Sequence, residues 1–490
     1  MSISGTRLVL AIDIGTSSCR TGLFDADASL LPASFVQESY LLRTDASGMA
    51  VLDPMELMQA VDRCTSRSLE NEKEPVAAVG VSTFWHSMLG LDRTERPVTP
   101  ILTWADGRCR EEAAALRRRV DEVAYHRRTG CMLRASFWPA RLRWWMRAHP
   151  EAAPHVARWI SPAEWLQLRW CGKASASFSM ASGTGLFQID APRWDAAALR
   201  LSGVRASHLS GVSDEPSTLL PSVAKRFPLL AKASIFPGIG DGAAGNLGSG
   251  ATQPGIAALN FGTSAALRVV VETGSEFRAP TGLFHYRIDA ARTLAGGAIS
   301  NAGSARAWCL ANLRLPEDPV ELERLAASRA PMSHGLCTLP FLLPERAPSW
   351  NEHLSGMFAG LRQHHDAADL YLAVCEASYQ RLAMIHDRLR EATGAGMRII
   401  AGGGLQKSPA LLQRLCDALG APLYPNAESE TSLRGAAVFV LERLGCHPPP
   451  RITQSPLRPR RAVAAAFAKQ RTHMLKLESH LAAHPDLFSP

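Results

Sequence analysis

No apolar run in the 490 residues approaches the roughly 20 that a membrane-spanning helix needs, which excludes a helical membrane protein. The opening stretch, MSISGTR, lacks the charged-then-apolar layout of a secretory signal. The ten cysteines are scattered, with no C-x-x-C pair and no metal-like spacing. They read as reduced, packed thiols, and the expectation is a cytoplasmic protein. No nucleic-acid module is present, and no basic run is interleaved with aromatics, although the net charge is +8. The positive excess is spread over arginine-rich helices such as ALRRRVDEVAYHRR and a tail, RITQSPLRPRRAVAAAFAKQR. These read as solvated helix faces, so neither nucleic acid nor membrane is expected as a partner; anionic metabolites also suit such a charge.

What is present is a globular composition, 46% hydrophobic and 20% charged, in a chain too long for one ordinary core. Residues 7–12 and 20–25 read as strands around a glycine-containing turn, and SLLPASFVQ as a third strand. Asp53 reads as an N-cap with Pro54 at the first helical position of a helix to about Leu69. VAAVGVS, at 76–82, has the continuous apolar pattern of a buried strand, which argues for an α/β sheet. The middle, 104–230, is richer in Trp and Arg and mostly helical; Ser161, Pro162 and Gly172 bracket one helix there. After a break near residue 250 come strands at 256–260 and 265–271 and helices at 301–313 and about 366–393. The segment MRIIAGGGLQKSPALLQ then reads as strand, glycine turn and helix, followed by a helix at 429–444. Residues 451–490 read as a proline-broken basic stretch and a terminal helix without legible chemistry.

Four loops carry chemistry. Gly15-Thr16-Ser17 and Gly262-Thr263-Ser264 each join two apolar strands, one in each half of the chain. Such turns expose consecutive N–H groups and hydroxyls and form a nest for anionic oxygen. Two of them suggest duplicated domains gripping a polyphosphate from opposite sides. Asp13, at the end of the first strand, would repel phosphate unless a cation intervened; Mg²⁺ is the natural mediator, and a plain turn-forming Asp is the alternative. Asp241 sits between glycines in GIGDGAAGNLGSG, before a helix. There it is placed either to accept a proton from a hydroxyl nucleophile or simply to cap the helix. The fourth loop, AGGGLQKS at 401–408, lets a ring or ribose approach the backbone, and G-x-G-x-x-G is absent from it.

Read in order, DIGTSSCR, STFWHSMLGLD, TWADGR, GIGDGAAGNLGSG, LNFGTS and AGGGLQKSPALLQ resemble the FGGY carbohydrate kinases across residues 7–445. Within that family LTWADGRCREEA, SFSMASGTGLFQ and LFHYRID look most like the gluconate kinase branch. The resemblance implies an α/β fold of two duplicated ribonuclease-H-like domains, of the actin, hexokinase and heat-shock ATPase type, around a central cleft. It implies an N-terminal domain at 1–250, a C-terminal domain at 251–447 and a basic, partly helical extension at 448–490.

It also implies roles. Asp241 would be the general base for the sugar hydroxyl, and Asp13 would position Mg²⁺ with ATP. Thr16, Ser17, Ser18 and Arg20 would hold the β- and γ-phosphates from one side, Gly262 and Thr263 from the other. Gly303, Gly402, Gly403, Gly404 and Lys407 would border the adenosine. His86, Trp104, Asp106 and Arg108 would line the sugar site, with Arg108 and His86 as candidates to hold a sugar acid's carboxylate. Three of them have plainer alternatives: packing for Trp104, a satisfied buried imidazole for His86, and for Arg108 an ion pair with Glu111 or Glu112. Ala307 and Lys407 depart from residues common in the family and bear on the adenine contacts; Trp85 stands where Met is common and would narrow the pocket. The implied reaction is transfer of the γ-phosphoryl group of ATP to D-gluconate, or to a ketose or polyol, by a chain that can form a homodimer. A silent sugar-binding regulator or a basic nucleic-acid-associated protein are the readings from other classes.

Overall fold

Two sheets of the same strand order organise the chain. The computed structural model describes residues 7–274, 277–394, 396–449 and 455–484, so part of the 448–490 extension lies outside the described residues. In the first sheet, β1 (Val9–Ile14) turns back into β2 (Ser18–Phe24), and β3 (Val36–Ser39) pairs outside β2. On the other side of β1, β4 (Ala78–Thr83) runs parallel, and β5 (Ser234–Ile235) and β6 (Ile239–Gly240) run parallel to β4. In the second sheet, β7 (Ile256–Phe261) turns back into β8 (Ala265–Glu272), and the hairpin of β9 (Phe284–Arg287) and β10 (Arg292–Ile299) extends outside β8. Beyond β7, β11 (Arg398–Gly403) and β12 (Leu423–Pro425) run parallel. Both sheets are thus an antiparallel turn followed by parallel crossover strands, which is the duplication expected from the repeated Gly-Thr-Ser.

The local reasons are legible. All six residues of β1 and of β4 are buried, as for strands covered on both faces. Helix α1 (Pro54–Leu69) starts where the Asp53 carboxylate accepts from the amides of Met55 and Glu56, at 2.8 and 3.0 Å. Helix α2 is Trp138–Ala148. Helix α3 (Pro162–Cys171) opens on a capping box between Ser161 and Glu164 and ends at Gly172, with φ 72°. SLLPASFVQ is strand only from Val36; Pro32 has no N–H for a ladder, and Pro32–Ser34 form a single 3-10 turn. Helix α4 (Asp241–Ser249) follows β6 directly, so Asp241 opens the helix rather than preceding it. The second half adds α5 (Gly303–Asn312), α6 (Ala367–Thr393), α7 (Pro409–Leu419), α8 (Thr431–Arg443) and α9 (Arg461–Ala482).

The two halves meet through α4 and α8, and glycines set the approach. A Cβ on Gly248 would lie 1.8 Å from the Thr431 carbonyl oxygen, and one on Gly435 1.7 Å from that of Ala244. On β4, a Cβ on Gly80 would lie 2.2 Å from the Ala436 oxygen. Although α8 follows the second sheet in sequence, it packs on β1 and β4 of the first. The buried Arg434 fastens it there by donating to the carbonyls of Gly248 (2.7 Å) and Ala28 (3.1 Å). The linear break near residue 250 therefore follows chain order, while the packing returns residues 431–443 to the first half. Gly435→Ala is expected to force these backbones apart and to lower stability by about 1–3 kcal/mol, read as a lower urea midpoint at unchanged slope. An unchanged midpoint would contradict the contact.

Candidate active site

A cavity of about 190 Å³ lies between the sheets, walled by Thr16 from the first and Ser264 and Arg268 from the second. Asp241, the first residue of α4, faces into it. Its carboxylate accepts from the Gly242 amide at 2.8 Å. The side chain is open to the cavity yet sunk deep in the molecule. That burial raises its pKa above the ordinary carboxylate value, while Arg268 and the amides of Gly242 and Trp85 pull it back. The Trp85 indole fills a slot left by three glycines: Cβ atoms on Gly183, Gly240 and Gly242 would lie 2.6, 1.9 and 2.5 Å from its ring. Its Nε1 donates to the Ser179 carbonyl at 3.0 Å, so the ring is a fixed wall beside Asp241.

His86 also lines this cavity, with φ 68°. Its Nδ1 lies 2.5 Å from the Gly183 carbonyl oxygen, which can only accept, so Nδ1 carries the proton and Nε2 is left as an acceptor. Burial holds its pKa down to about 3. The ring is therefore neutral: it suits a hydroxyl, and the expectation that it could hold a carboxylate by charge is corrected. Trp104 lines the cavity and donates from Nε1 to the Thr16 hydroxyl at 3.2 Å. Asp106 and Arg108 do not line it. Arg108 turns onto Asp106 (2.6 Å) and lies over the Trp144 ring at 4.5 Å, while Asp106 is 1% exposed. Their placement in the sugar wall is corrected; they form a local pair two residues apart, the acid buried and the Arg108 side chain 20% exposed. Glu112, one alternative partner, is taken by Arg143 and Arg147, each at 2.8 Å.

The cations of this cavity are instead Arg268, in the middle of β8, and Arg346. Arg268 Nε is buried with no hydrogen-bond partner. Burial pulls its pKa down and Asp241 pushes it up. Arg346 donates from Nε to the Ser300 hydroxyl (3.1 Å) and from Nη2 to the Ile299 carbonyl (3.2 Å), with its guanidinium 5.3 Å over Trp104. Tyr286 and Trp350 line the cavity as well. Sequence reasoning assigned none of these four. Arg268 carried a signal, as the one charge inside the apolar run AALRVVV; Arg346 and Trp350 lie in a loop with no pattern to read.

A second cavity, of about 420 Å³, opens on the other side of the Gly262–Ser264 turn. Gly262 and Thr263 line this one and Ser264 the first, so a single turn separates the two. The start of α5 is stitched to the turn: the amides of Gly303 and Ser304 donate to the carbonyls of Gly262 (3.1 Å) and Thr263 (2.9 Å). A Cβ on Gly303 would lie 2.3 Å from the Gly262 oxygen, so only glycine fits. Gly404 and Lys407 line the cavity, and a Cβ on Gly404 would meet open space. Gly402 and Gly403 do not line it. Gly402 pairs with Asn260 in the sheet, and Gly403, at φ 95°, presses on the Phe261 carbonyl. Arg306, overlooked in the sequence, lines the cavity next to the Ala307 departure and donates to the Tyr371 hydroxyl at 3.0 Å.

Asp13, one residue before the end of β1, is 6% exposed. Burial raises its pKa to about 6; Asp241 and Glu430 add to the rise, and Ser82 and Arg20 oppose it. Asp13 alone would be the protein ligand of a divalent cation here, because among the described residues no three metal-ligating side chains are gathered; phosphate oxygens and waters would supply the rest of its shell. Arg20 is placed on acids, 3.6 Å from Asp13 and 3.5 Å from Glu430, and lines neither cavity. Ser17 is exposed on its turn; Ser18 accepts from Gln37 at 3.3 Å, and neither lines a cavity. Of the first phosphate turn, Thr16 is the residue that reaches either of these two cavities.

Residues 8–248 match the N-terminal domain, and residues 257–441 the C-terminal domain, of the FGGY family of carbohydrate kinases. Gluconokinase of Bacillus subtilis is 28% identical over 460 residues, covering 90% of this chain and 88% of its own. Glycerol kinase of Rhodospirillum centenum is 30% identical over 460 residues, with 90% of each chain covered. The solved gluconate kinase from Lactobacillus acidophilus superposes with a TM-score of 0.91 at 24% identity, over 99% of this chain and 100% of its own, which shows a shared fold. With both halves matched in order, the chain belongs to the FGGY carbohydrate kinases and is a phosphotransferase with an alcohol acceptor.

Proposed function

We propose that this kinase transfers the γ-phosphoryl group of ATP to a primary hydroxyl of D-gluconate, giving 6-phosphogluconate, in a cytoplasmic setting. The observation that carries the choice of sugar is the charge of the smaller cavity. Among its lining side chains Arg268 and Arg346 are cationic, Asp241 is the one acid, and His86 is neutral. Within this lining the cations exceed the acids by one; Glu345, behind the wall, acts on Arg346, which leaves Arg268, whose Nε has no hydrogen-bond partner, as the cation open to a ligand, and a buried charge needs a partner. The carboxylate of a sugar acid supplies it; a ketose or polyol does not. The similarity to a gluconokinase supports the same choice.

In this reading the nucleotide lies in the larger cavity, with its phosphates toward the Gly262–Ser264 turn and the sugar beyond it. Asp241 takes the proton from the attacking hydroxyl. His86 Nε2 accepts from another hydroxyl, and Trp85 and Trp104 hold the carbon chain. Asp13 would hold Mg²⁺, which neutralises charge on the phosphates.

An ADP-release assay with Mg·ATP tests the proposal. D-gluconate is expected to be turned over in preference to D-xylulose and glycerol; a preference for either neutral acceptor would reject it. Asp241→Asn is expected to lower kcat by about 10²–10⁴-fold with ATP binding retained. Because the base must be ionised and its pKa is raised, kcat/KM is expected to fall on acidification at a pH above the ordinary aspartate value, a limb absent from the residual activity of the variant. Arg268→Met is expected to reduce kcat/KM for gluconate by about 30-fold or more, while a neutral polyol loses much less. Equal losses would detach the arginine from carboxylate recognition.

A further inference from the structure

Helix α9 lies beyond the residues matched to the family's C-terminal domain, and nothing above gives it a task. It nevertheless reaches the sugar cavity through one loop. Residues 340–354 carry Arg346 and Trp350 to that cavity. The other side of this loop rests on α9. Glu478 of α9 is 3% exposed, and its Oε1 accepts from Ser349 Oγ and Asn351 Nδ2, both at 2.6 Å. Those two residues flank Trp350. Its Oε2 accepts from Arg381 Nη1 of α6. Arg381 donates in turn to Ser349 Oγ (2.6 Å) and to Glu345 (3.2 Å), the neighbour of Arg346. Glu345 and Arg381 are fully buried. Near the ends of the loop, Phe341 and Leu354 pack with Met474 and Leu481 of α9 and with Met384 of α6.

The loop is therefore held from both sides. On the cavity side Trp350 Nε1 donates to the Gly282 carbonyl at 2.8 Å, and the Arg134 guanidinium lies 5.4 Å from its ring. On the far side the side-chain hydrogen bonds of Ser349 and Asn351 among the described residues lead to Glu478 or Arg381. A buried carboxylate bound this way gives the loop one register, because a shifted loop would leave charge uncompensated.

We propose that α9 is a positioning element for the sugar site, and that Glu478, acting through Ser349, Asn351 and Arg381, sets Arg346 and Trp350 against the acceptor. The proposal rests on the reading that the smaller cavity takes the sugar. The nucleotide cavity has no residue from this loop or helix, so the effect should be confined to the acceptor.

The test uses the full chain. Glu478→Gln keeps the shape and removes the charge. The double variant Ser349→Ala, Asn351→Ala removes the loop's side of the clamp while leaving Glu478 paired with Arg381, and so decides the matter if the first variant does not fold. Arg471→Ala is the control: it loosens α9 elsewhere, at Asp387 (3.0 Å) and the Ala418 carbonyl (3.1 Å). Both clamp variants are expected to raise KM for the sugar about 10- to 100-fold with KM for ATP unchanged, and the control to keep both values native. Amide exchange across 342–352 is expected to quicken in the clamp variants only. A native sugar KM in both, or an equal rise in Arg471→Ala, would overturn the proposal. If the native enzyme phosphorylated none of the acceptors, the sugar reading would fall, and the exchange comparison would still decide whether α9 holds the loop.

Discussion

The contact on which the rest depends is the meeting of two helices backbone to backbone. Helices α4 and α8 approach so closely at Gly248 and Gly435 that a single methyl group would overlap a carbonyl on the other helix. Asp241 begins α4, and α8 lies on β1, the strand that carries Asp13. The two carboxylates to which the proposed reaction gives a role are thus placed by one seam, and each comes from a different structural route. β1 supplies Asp13 directly, whereas the chain travels through the whole Trp- and Arg-rich middle before returning at β6 to supply Asp241.

Electrostatics follows from that placement. Asp241 and Glu430 act electrostatically on Asp13, and burial raises the pKa of both aspartates. The cations that face them are divided. Arg20 spans Asp13 and Glu430, while Arg268 and Arg346 stand across the smaller cavity. The acidic end suits a metal-bridged polyphosphate, and the cationic wall suits an anionic acceptor. The Gly262–Ser264 turn, held by the first amides of α5, stands between them with one face to each cavity.

How much of this could be read beforehand depended on whether the signal was local. The repeated Gly-Thr-Ser turns, the Asp53 and Ser161 caps and the glycine-flanked Asp241 are short-range patterns, and the structure keeps all of them. Arg108 misled because an Arg near a motif says nothing about the direction of its side chain; Asp106, two residues away, claims it. His86 was found but given too much charge, since burial and the Gly183 carbonyl cannot be read from its neighbours in sequence. Arg346, Trp350 and Glu478 were missed because their partners are remote: Glu478 meets Ser349 across 129 positions. The return of α8 to the first sheet was hidden for the same reason.

The central claim is that the sugar is selected by charge. It is tested most directly by competition in one vessel, with equal concentrations of D-gluconate, D-xylulose and glycerol, limiting Mg·ATP, and mass analysis of the phosphorylated products. The account predicts that 6-phosphogluconate dominates and that added salt, which screens the arginine wall only weakly inside the cleft, leaves that dominance in place. A product mixture dominated by xylulose phosphate or glycerol phosphate would contradict it.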